Sequence, residues 1–269
     1  MWVQAMPSMG SRDRWLAVLA VLAVARGFAV PRVAVPRGVA AGPGGTAPAP
    51  RCGAAAASAD AETAAAAAVE GMATPKGREL AARLRNVNVY LVGMMGAGKS
   101  AVGERVSRRL GSYAFVDTDD TIERAAGRAI AEIFAADGEA GFRAVESEVL
   151  DQIAAFVRLV IATGGGIVTT QKNWASLRTG IVVWLDVPVD VLADRIAASD
   201  GGATRPLLGD DLAADLAEKL EERASLYAQA DVRVAVGAGE TADDVADRVV
   251  DDVTAFIIAN PPKTEPPPQ

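Results

Sequence analysis

No histidine occurs anywhere in the 269 residues, which excludes His-based zinc sites and Ser-His-Asp triads at once. The one cysteine, Cys52, excludes an intrachain disulfide and a CxxC metal site. Aromatic residues make up only 5% of the chain against 51% hydrophobic, a length and composition that suit one sizeable core or two small ones. A single apolar run stands out, WLAVLAVLAVA at 15–25. Its eleven residues fall well short of the about 20 that a spanning helix needs. Positive charge is the minority: 27 Lys and Arg face 34 Asp and Glu, for a net charge of −7. Residues 1–76 hold seven basic and four acidic groups, so the remainder carries −10. An acidic body argues against a nucleic-acid surface and leaves any anionic ligand to a few placed cations.

The apolar run follows Arg12 and Arg14 and precedes small residues and Phe28, the order of a signal peptide's regions. From there to Ala59 the chain holds Arg32, Arg37 and Arg51 and no acidic residue, with much Ala, Pro and Gly. That composition suits a transit peptide, which stays unfolded and basic. Residues 1–27 are therefore expected to be a signal peptide, and 28–76 a transit peptide and linker. A signal peptide followed at a Phe by a basic segment resembles the two-part plastid address of algae with secondary plastids. A secreted protein with a disordered leader is the alternative. Residues 261–269, PPKTEPPPQ, are expected to be a disordered tail.

From about Arg85 the pattern becomes regular. NVYLVG, YAFVD, RLVIATG, GIVVWLD and VRVAVG predict five strands, since short continuous apolar runs suit a parallel sheet covered on both faces. SAVGERVSRRL, EAGFRAVESEVLDQIAA, PVDVLADRIAA, DLAADLAEKLEERASLYAQ and TADDVADRVVDDVTAFI predict helices between them. The alternation means a three-layer α/β fold, with ligands at the carboxyl ends of the strands. One domain, 77–260, accounts for it, its regular part running from about Asn86 to Ile258.

Gly93 to Ser100, GMMGAGKS, satisfies GxxxxGK[ST] and lies between a predicted strand and a predicted helix, the context the motif requires. Its backbone N–H groups and the helix's positive end cradle phosphates. The nucleotide-binding set is Gly96, Ala97, Gly98, Lys99, Ser100 and Ala101, with Lys99 reaching the β- and γ-phosphates and Ser100 a Mg²⁺ ion. No guanine-reading NKxD or TKxD and no LSGGQ-like signature occurs, so a small-molecule kinase fits better than a GTPase or a transporter ATPase.

Asp117 ends the second predicted strand and Asp119 follows two residues on. Asp117 is expected to hold hydrated Mg²⁺ opposite Ser100, and Asp119 to accept a proton from an attacking hydroxyl. Asp120 is expected to cap the helix TIERAA. Arg143 and Glu146 stand at i,i+3, a spacing that an ordinary surface ion pair also explains. Gly164, Gly165 and Gly166 directly follow the third strand, where they permit close approach to a ligand or simply a tight turn. DGGATRPLLGD reads as a lid carrying Arg205 to the transferring phosphoryl group. Arg223 lies on a long helix and can join Arg143 on a carboxylate, which Arg grips bidentately; spacing alone leaves that convergence open.

GMMGAGKS, FVDTDDTIE, GRAIAEIFAADGEAGFRAVE, TGGGIV, TRPLL and ERASLY, in this order, resemble the shikimate kinase family over about Asn86 to Ile258. The resemblance implies a nucleoside-monophosphate-kinase-like fold with a lid and a substrate-binding helical segment. It also implies transfer of the γ-phosphate of ATP to the 3-hydroxyl of shikimate, on the way to chorismate and the aromatic amino acids. Carried over residue by residue, it makes Lys99, Asp119 and Arg205 catalytic, and Ser100 and Asp117 the Mg²⁺ holders. Asp119, Arg143, Gly164, Gly165, Gly166 and Arg223 become the shikimate binders, and Arg195 lies beside adenine. Ala101 departs from the Thr usual in the family, and the lid is Gly-rich and slightly long. Expected partners are shikimate, no nucleic acid and, in a mature monomeric stromal form, no membrane. A related kinase for gluconate or a nucleoside monophosphate, or a partner-binding protein that has lost catalysis, are the competing readings.

Overall fold

The computed structural model describes residues 73–198 and 212–261. The predicted leader up to residue 72, the lid stretch with Arg205, and the Pro-rich tail after 261 lie outside the described residues, whereas 73–76, expected to be linker, lead into a helix that starts at Pro75.

All five predicted strands form, each short and apolar: β1 Val89–Val92, β2 Ala114–Asp117, β3 Leu159–Ala162, β4 Ile181–Asp186 and β5 Val232–Ala235. They make one parallel sheet in the order β2-β3-β1-β4-β5. β1 and β3 are buried at every residue, whereas the edge strand β5 alternates buried and exposed. Continuous Val, Ile and Leu runs are what central strands covered on both faces require.

The helices are α1 Pro75–Leu84, α2 Lys99–Leu110, α3 Thr118–Ala126, α4 Ile130–Ile153, α5 Asn173–Leu177, α6 Val189–Ala198, α7 Leu212–Tyr227 and α8 Ala242–Ala259. α1 was not legible in the hydrophobic pattern, because only Leu80 and Leu84 supply apolar side chains to its buried face. Its local signal is Thr74-Pro75: the Thr74 side chain accepts from the Gly77 N–H at 3.0 Å, and proline occupies the first turn, where its missing N–H costs nothing. Gly77 lets α1 sit on the end of α2, since a Cβ there would lie 1.9 Å from the Arg109 carbonyl oxygen. α4 starts well before the predicted EAGFRAVESEVLDQIAA because two helical stretches meet at Gly138, whose φ of 68° and extended ψ break the helix. The predicted stretch begins just beyond that break.

This topology positions the site. The order β2-β3-β1 brings the carboxyl ends of the first three strands side by side, and the chain leaves β1 and β3 for different places in the sheet. Such a switch point opens a crevice above the strand ends. The nucleotide loop after β1, the acidic cluster after β2 and the glycine turn after β3 therefore meet although they are far apart in sequence.

Candidate active site

Between β1 and α2 the loop Gly93–Gly98 turns back on itself. Gly96 and Gly98 have φ of 79° and 86°, in the left-handed region that glycine reaches without steric cost. Lys99, 9% exposed, donates from Nζ to the Gly93 and Met94 carbonyl oxygens at 2.9 and 2.8 Å. Its ammonium thus lies across the loop. Ala101 is exposed, and its carbonyl accepts from Arg105 Nη1 at 2.9 Å. Arg195, on α6, reaches back to the loop: its Nη1 is 3.4 Å from the Ala97 carbonyl oxygen.

Asp117 closes β2 and holds two neighbours with its two oxygens. Oδ2 accepts from the Ser100 hydroxyl at 2.5 Å, and Oδ1 from the backbone N–H groups of Asp119 and Asp120 at 2.9 and 3.4 Å. Asp117, not Asp120, is therefore the cap of α3. The reason is that α3 begins at Thr118, directly after the strand, so the exposed Asp120 already lies inside the first turn, where it pairs with Arg124 at 3.6 Å.

The glycine turn after β3 is the floor around which the other groups stand. A Cβ on Gly164 would lie 2.5 Å from Glu146 Oε1 and 3.1 Å from Asp119 Oδ1; on Gly166 it would lie 2.2 Å from Arg143 Nη2; on Gly165, 3.1 Å from the Met95 N–H nitrogen of the nucleotide loop. The buried Thr118 hydroxyl accepts from the Gly164 N–H at 3.1 Å, and the Tyr227 hydroxyl donates to the Gly165 carbonyl at 2.6 Å. Both fix the turn from opposite sides.

Glu146 is fully buried, and its Oε2 accepts from Arg143 Nη1 at 2.8 Å. The pair is accordingly not the surface ion pair that its spacing allowed. Arg143 also donates to Glu139 at 3.2 Å and lies over the Phe142 ring. Arg223, 7% exposed on α7, stands close enough to Glu146 and to the Tyr227 hydroxyl to lower the pKa of each. The two arginines, eighty positions apart, do converge. Asp119 Oδ1, Glu146 Oε1, Arg143 Nε and Arg223 Nε are all buried without a hydrogen-bond partner. Buried polar groups are nearly always partnered, so four such atoms around one turn describe a site shaped for a polar ligand.

The electrostatics separate the two acids. Burial, then the charges of Asp117 and Glu146, push the Asp119 carboxyl up to about 7, against Lys99 and Arg143. Burial also raises Glu146, but Arg143 opposes it directly with a charge and a hydrogen bond. Tyr227 is pushed up to about 12 by burial and stays a neutral donor. A buried carboxylate raised toward neutrality beside a phosphate-binding loop can take a proton from a hydroxyl.

The family model for shikimate kinase matches residues 95–254, more than half of the chain. The chain belongs to the shikimate kinase family. Among curated shikimate kinases, that of Nostoc sp. (strain PCC 7120) is 48% identical over 156 residues, 58% of this chain and 84% of the relative. That of Synechococcus sp. (strain RCC307) is 50% identical over 163 residues, 60% of this chain and 82% of the relative. Among solved structures, shikimate kinase from Acinetobacter baumannii in complex with shikimate superposes with a TM-score of 0.59 at 35% identity, covering 68% of this chain and 98% of that one. The Bacteroides thetaiotaomicron shikimate kinase gives 0.57 at 34% identity, covering 61% and 97%.

The shikimate kinase signature thus falls on residues that the fold assembles: Lys99, Ser100, Asp117, Asp119, Arg143, Gly164 to Gly166, Arg195 and Arg223. Two further residues belong with them. Glu146 was legible only as half of an ion pair, and Tyr227 only as an apolar helix residue. The i,i+4 spacing of Arg223 and Tyr227 on α7, which places both on one face, was the signal available for the second.

Proposed function

We propose that this enzyme transfers the γ-phosphoryl group of ATP to the 3-hydroxyl of shikimate, releasing shikimate 3-phosphate and ADP. The single observation that carries the choice of acceptor is the pair Arg143 and Arg223, each with an unpartnered Nε and both beside Glu146, with Arg143 and Asp119 on either side of the glycine turn. Two guanidiniums suit a carboxylate, and a basic carboxylate opposite them suits a hydroxyl on the same small ring.

In this reading the loop from Gly96 to Ala101 wraps the nucleotide phosphates, Lys99 leaves the Gly93 and Met94 carbonyls for them, and Arg195 flanks the nucleotide. Arg143 and Arg223 anchor the shikimate carboxylate, Gly164 to Gly166 let the ring approach the backbone, and Asp119 orients the 3-hydroxyl and takes its proton. Arg205 of the lid stretch meets the transferring phosphoryl group. Ser100 and Asp117, an oxygen-only pair 2.5 Å apart, fit Mg²⁺, which is held through one or two carboxylates plus water and phosphate oxygens. The ion would supply charge neutralisation at the phosphates. Full chain or residues 73–261 are expected to release ADP in a coupled assay only with shikimate and Mg²⁺ both present; equal ADP release without shikimate would remove the assignment.

Gly166 gives a sharper test of the clamp. Gly166→Ala puts a methyl group where the Arg143 guanidinium lies, so that side chain must swing aside. The KM for shikimate is expected to rise about tenfold or more, with the KM for ATP unchanged. A rise in both would mean that the turn itself, rather than Arg143, had been disturbed.

The monomeric state and the stromal location belong to the same proposal, with the expected domain limits of 77–260 extended back to Thr74, the cap of α1. The leader's composition and the cyanobacterial origin of the relatives support import into a plastid. Residues 1–76 fused to a fluorescent protein are expected to deliver it to the plastid, and fluorescence in the medium would favour secretion instead.

A further inference from the structure

At the other end of the sheet, below the amino ends of β1, β2 and β3, lies a cavity of about 700 Å³. Lys99 and Leu110 are the two ends of α2, so this cavity is separated from the nucleotide loop by about 16 Å of helix. Arg78, Arg85 and Arg158 carry its charge, and Ala81, Leu110 and Tyr113 give it an apolar wall.

The charge is the first observation. In this acidic body most arginines are paired with a carboxylate, as Arg83, Arg105, Arg109, Arg128, Arg233 and Arg248 are. Among the described residues, those with no carboxylate at ion-pairing distance are Arg195 and Arg223 of the active site, Arg178 stacked over Trp174, and the three at this cavity. Arg78 donates to the Ala73 carbonyl at 2.7 Å and Arg158 Nε to the Asn86 side chain at 2.6 Å. Their forks are thus held with N–H groups to spare, and the Arg85 side chain is exposed. Two helices, α1 and α2, end here with about half a negative charge each, which three full positive charges outweigh.

Tyr113 is the second, independent observation. It is 5% exposed, and its hydroxyl has the Asn86 backbone N–H close by but no acceptor for its own proton. Burial pushes it up to about 12, against Arg158 and the nearby Asn86 backbone N–H, so it stays a neutral O–H donor beside the arginines. Arg85, Asn86 and Arg158 line this cavity with φ of 48°, 74° and 62°, and Arg85 takes its left-handed conformation as the C-cap of α1.

We propose that this cavity is a second ligand site, taking a small organic anion with a phosphate dianion for the arginines and an apolar body for the Tyr113 wall. The volume lies within the range of small-molecule pockets and exceeds what an inorganic ion fills. Arg forks favour phosphate oxygens, and the Tyr113 hydroxyl supplies a further donor.

The test uses phenyl phosphate as the probe and amide NMR shifts of the full chain as the readout, so that the two ends of α2 are read separately. Saturable shifts are expected at Asn86, Gly111 and Ser112, in addition to any at Gly96 to Ser100. Arg85→Asn, which keeps a residue tolerant of the left-handed region, is expected to weaken binding at the first group about tenfold and leave the second unchanged. Arg83→Gln removes an equal charge from the same helix without touching the cavity, and is expected to leave both unchanged. Shifts confined to the nucleotide loop would overturn the proposal. So would equal weakening by Arg83→Gln and Arg85→Asn, which would reduce the effect to a general field.

Discussion

Asp119→Asn is expected to lower kcat by roughly 10²–10⁴-fold, the usual contribution of a positioned base, and at the same time to stabilise the nucleotide-free protein above neutral pH. The two effects share one cause. Burial and the Asp117 and Glu146 charges raise the folded-state value of Asp119 to about 7, while the unfolded chain keeps an ordinary carboxylate. Below the ordinary value both states hold the proton and the position costs nothing. As pH rises from there through about 7 the unfolded chain ionises first, so stability falls, and above that range the loss is constant at on the order of 4 kcal/mol. Asparagine never ionises and escapes the loss. Thermal unfolding in EDTA should therefore show little difference between variant and parent near pH 4 and a clear gain for the variant at pH 8. A variant less stable than its parent at pH 8 would mean that the carboxylate is satisfied where it sits. In the parent, kcat/KM should fall as pH drops below about 7, since that quantity reports the free enzyme's base.

Arg223→Ala and Arg143→Ala are each expected to raise the KM for shikimate by roughly 30-fold or more, the equivalent of about 2 kcal/mol for a partly desolvated charge-assisted contact. They should differ in what else they do. Arg143 donates to the fully buried Glu146, and removing one member of a buried pair costs about 3–5 kcal/mol because the other is left uncompensated. Arg143→Ala should therefore also lower the melting temperature, and Arg223→Ala should do so far less. Adding Glu146→Gln to Arg143→Ala should restore much of the stability and none of the substrate affinity. Unchanged KM in both single variants would take the arginines out of the acceptor site. Restored KM in the double variant would show that Arg143 acted only by holding Glu146.

Much of this site was readable because its chemistry is written in short contiguous motifs. The nucleotide loop needs glycines at left-handed positions and a lysine at the start of a helix, and both requirements appear within eight residues. The same holds for Asp117 and Asp119 at a strand end and for the triple glycine after β3. The helix cap was misassigned to Asp120 because a strand that runs straight into a helix leaves no linker, and the motif does not show where the first turn begins. α1 went unread because a helix that packs through two leucines and a glycine has almost no apolar period.

By itself, then, the sequence determined the parallel α/β class, the phosphate loop and the identity of the acidic and basic side chains, since each depends on neighbours within a turn or a strand. Only the tertiary structure decided that Arg143 and Arg223 meet and that Glu146 is buried beneath them. It also decided that burial raises the Asp119 carboxyl toward neutrality and that three arginines without carboxylate partners line a cavity at the other end of the sheet. Those properties depend on distance and on exclusion of water between segments far apart in the chain, and neither quantity exists until the strand order β2-β3-β1-β4-β5 has brought the segments together.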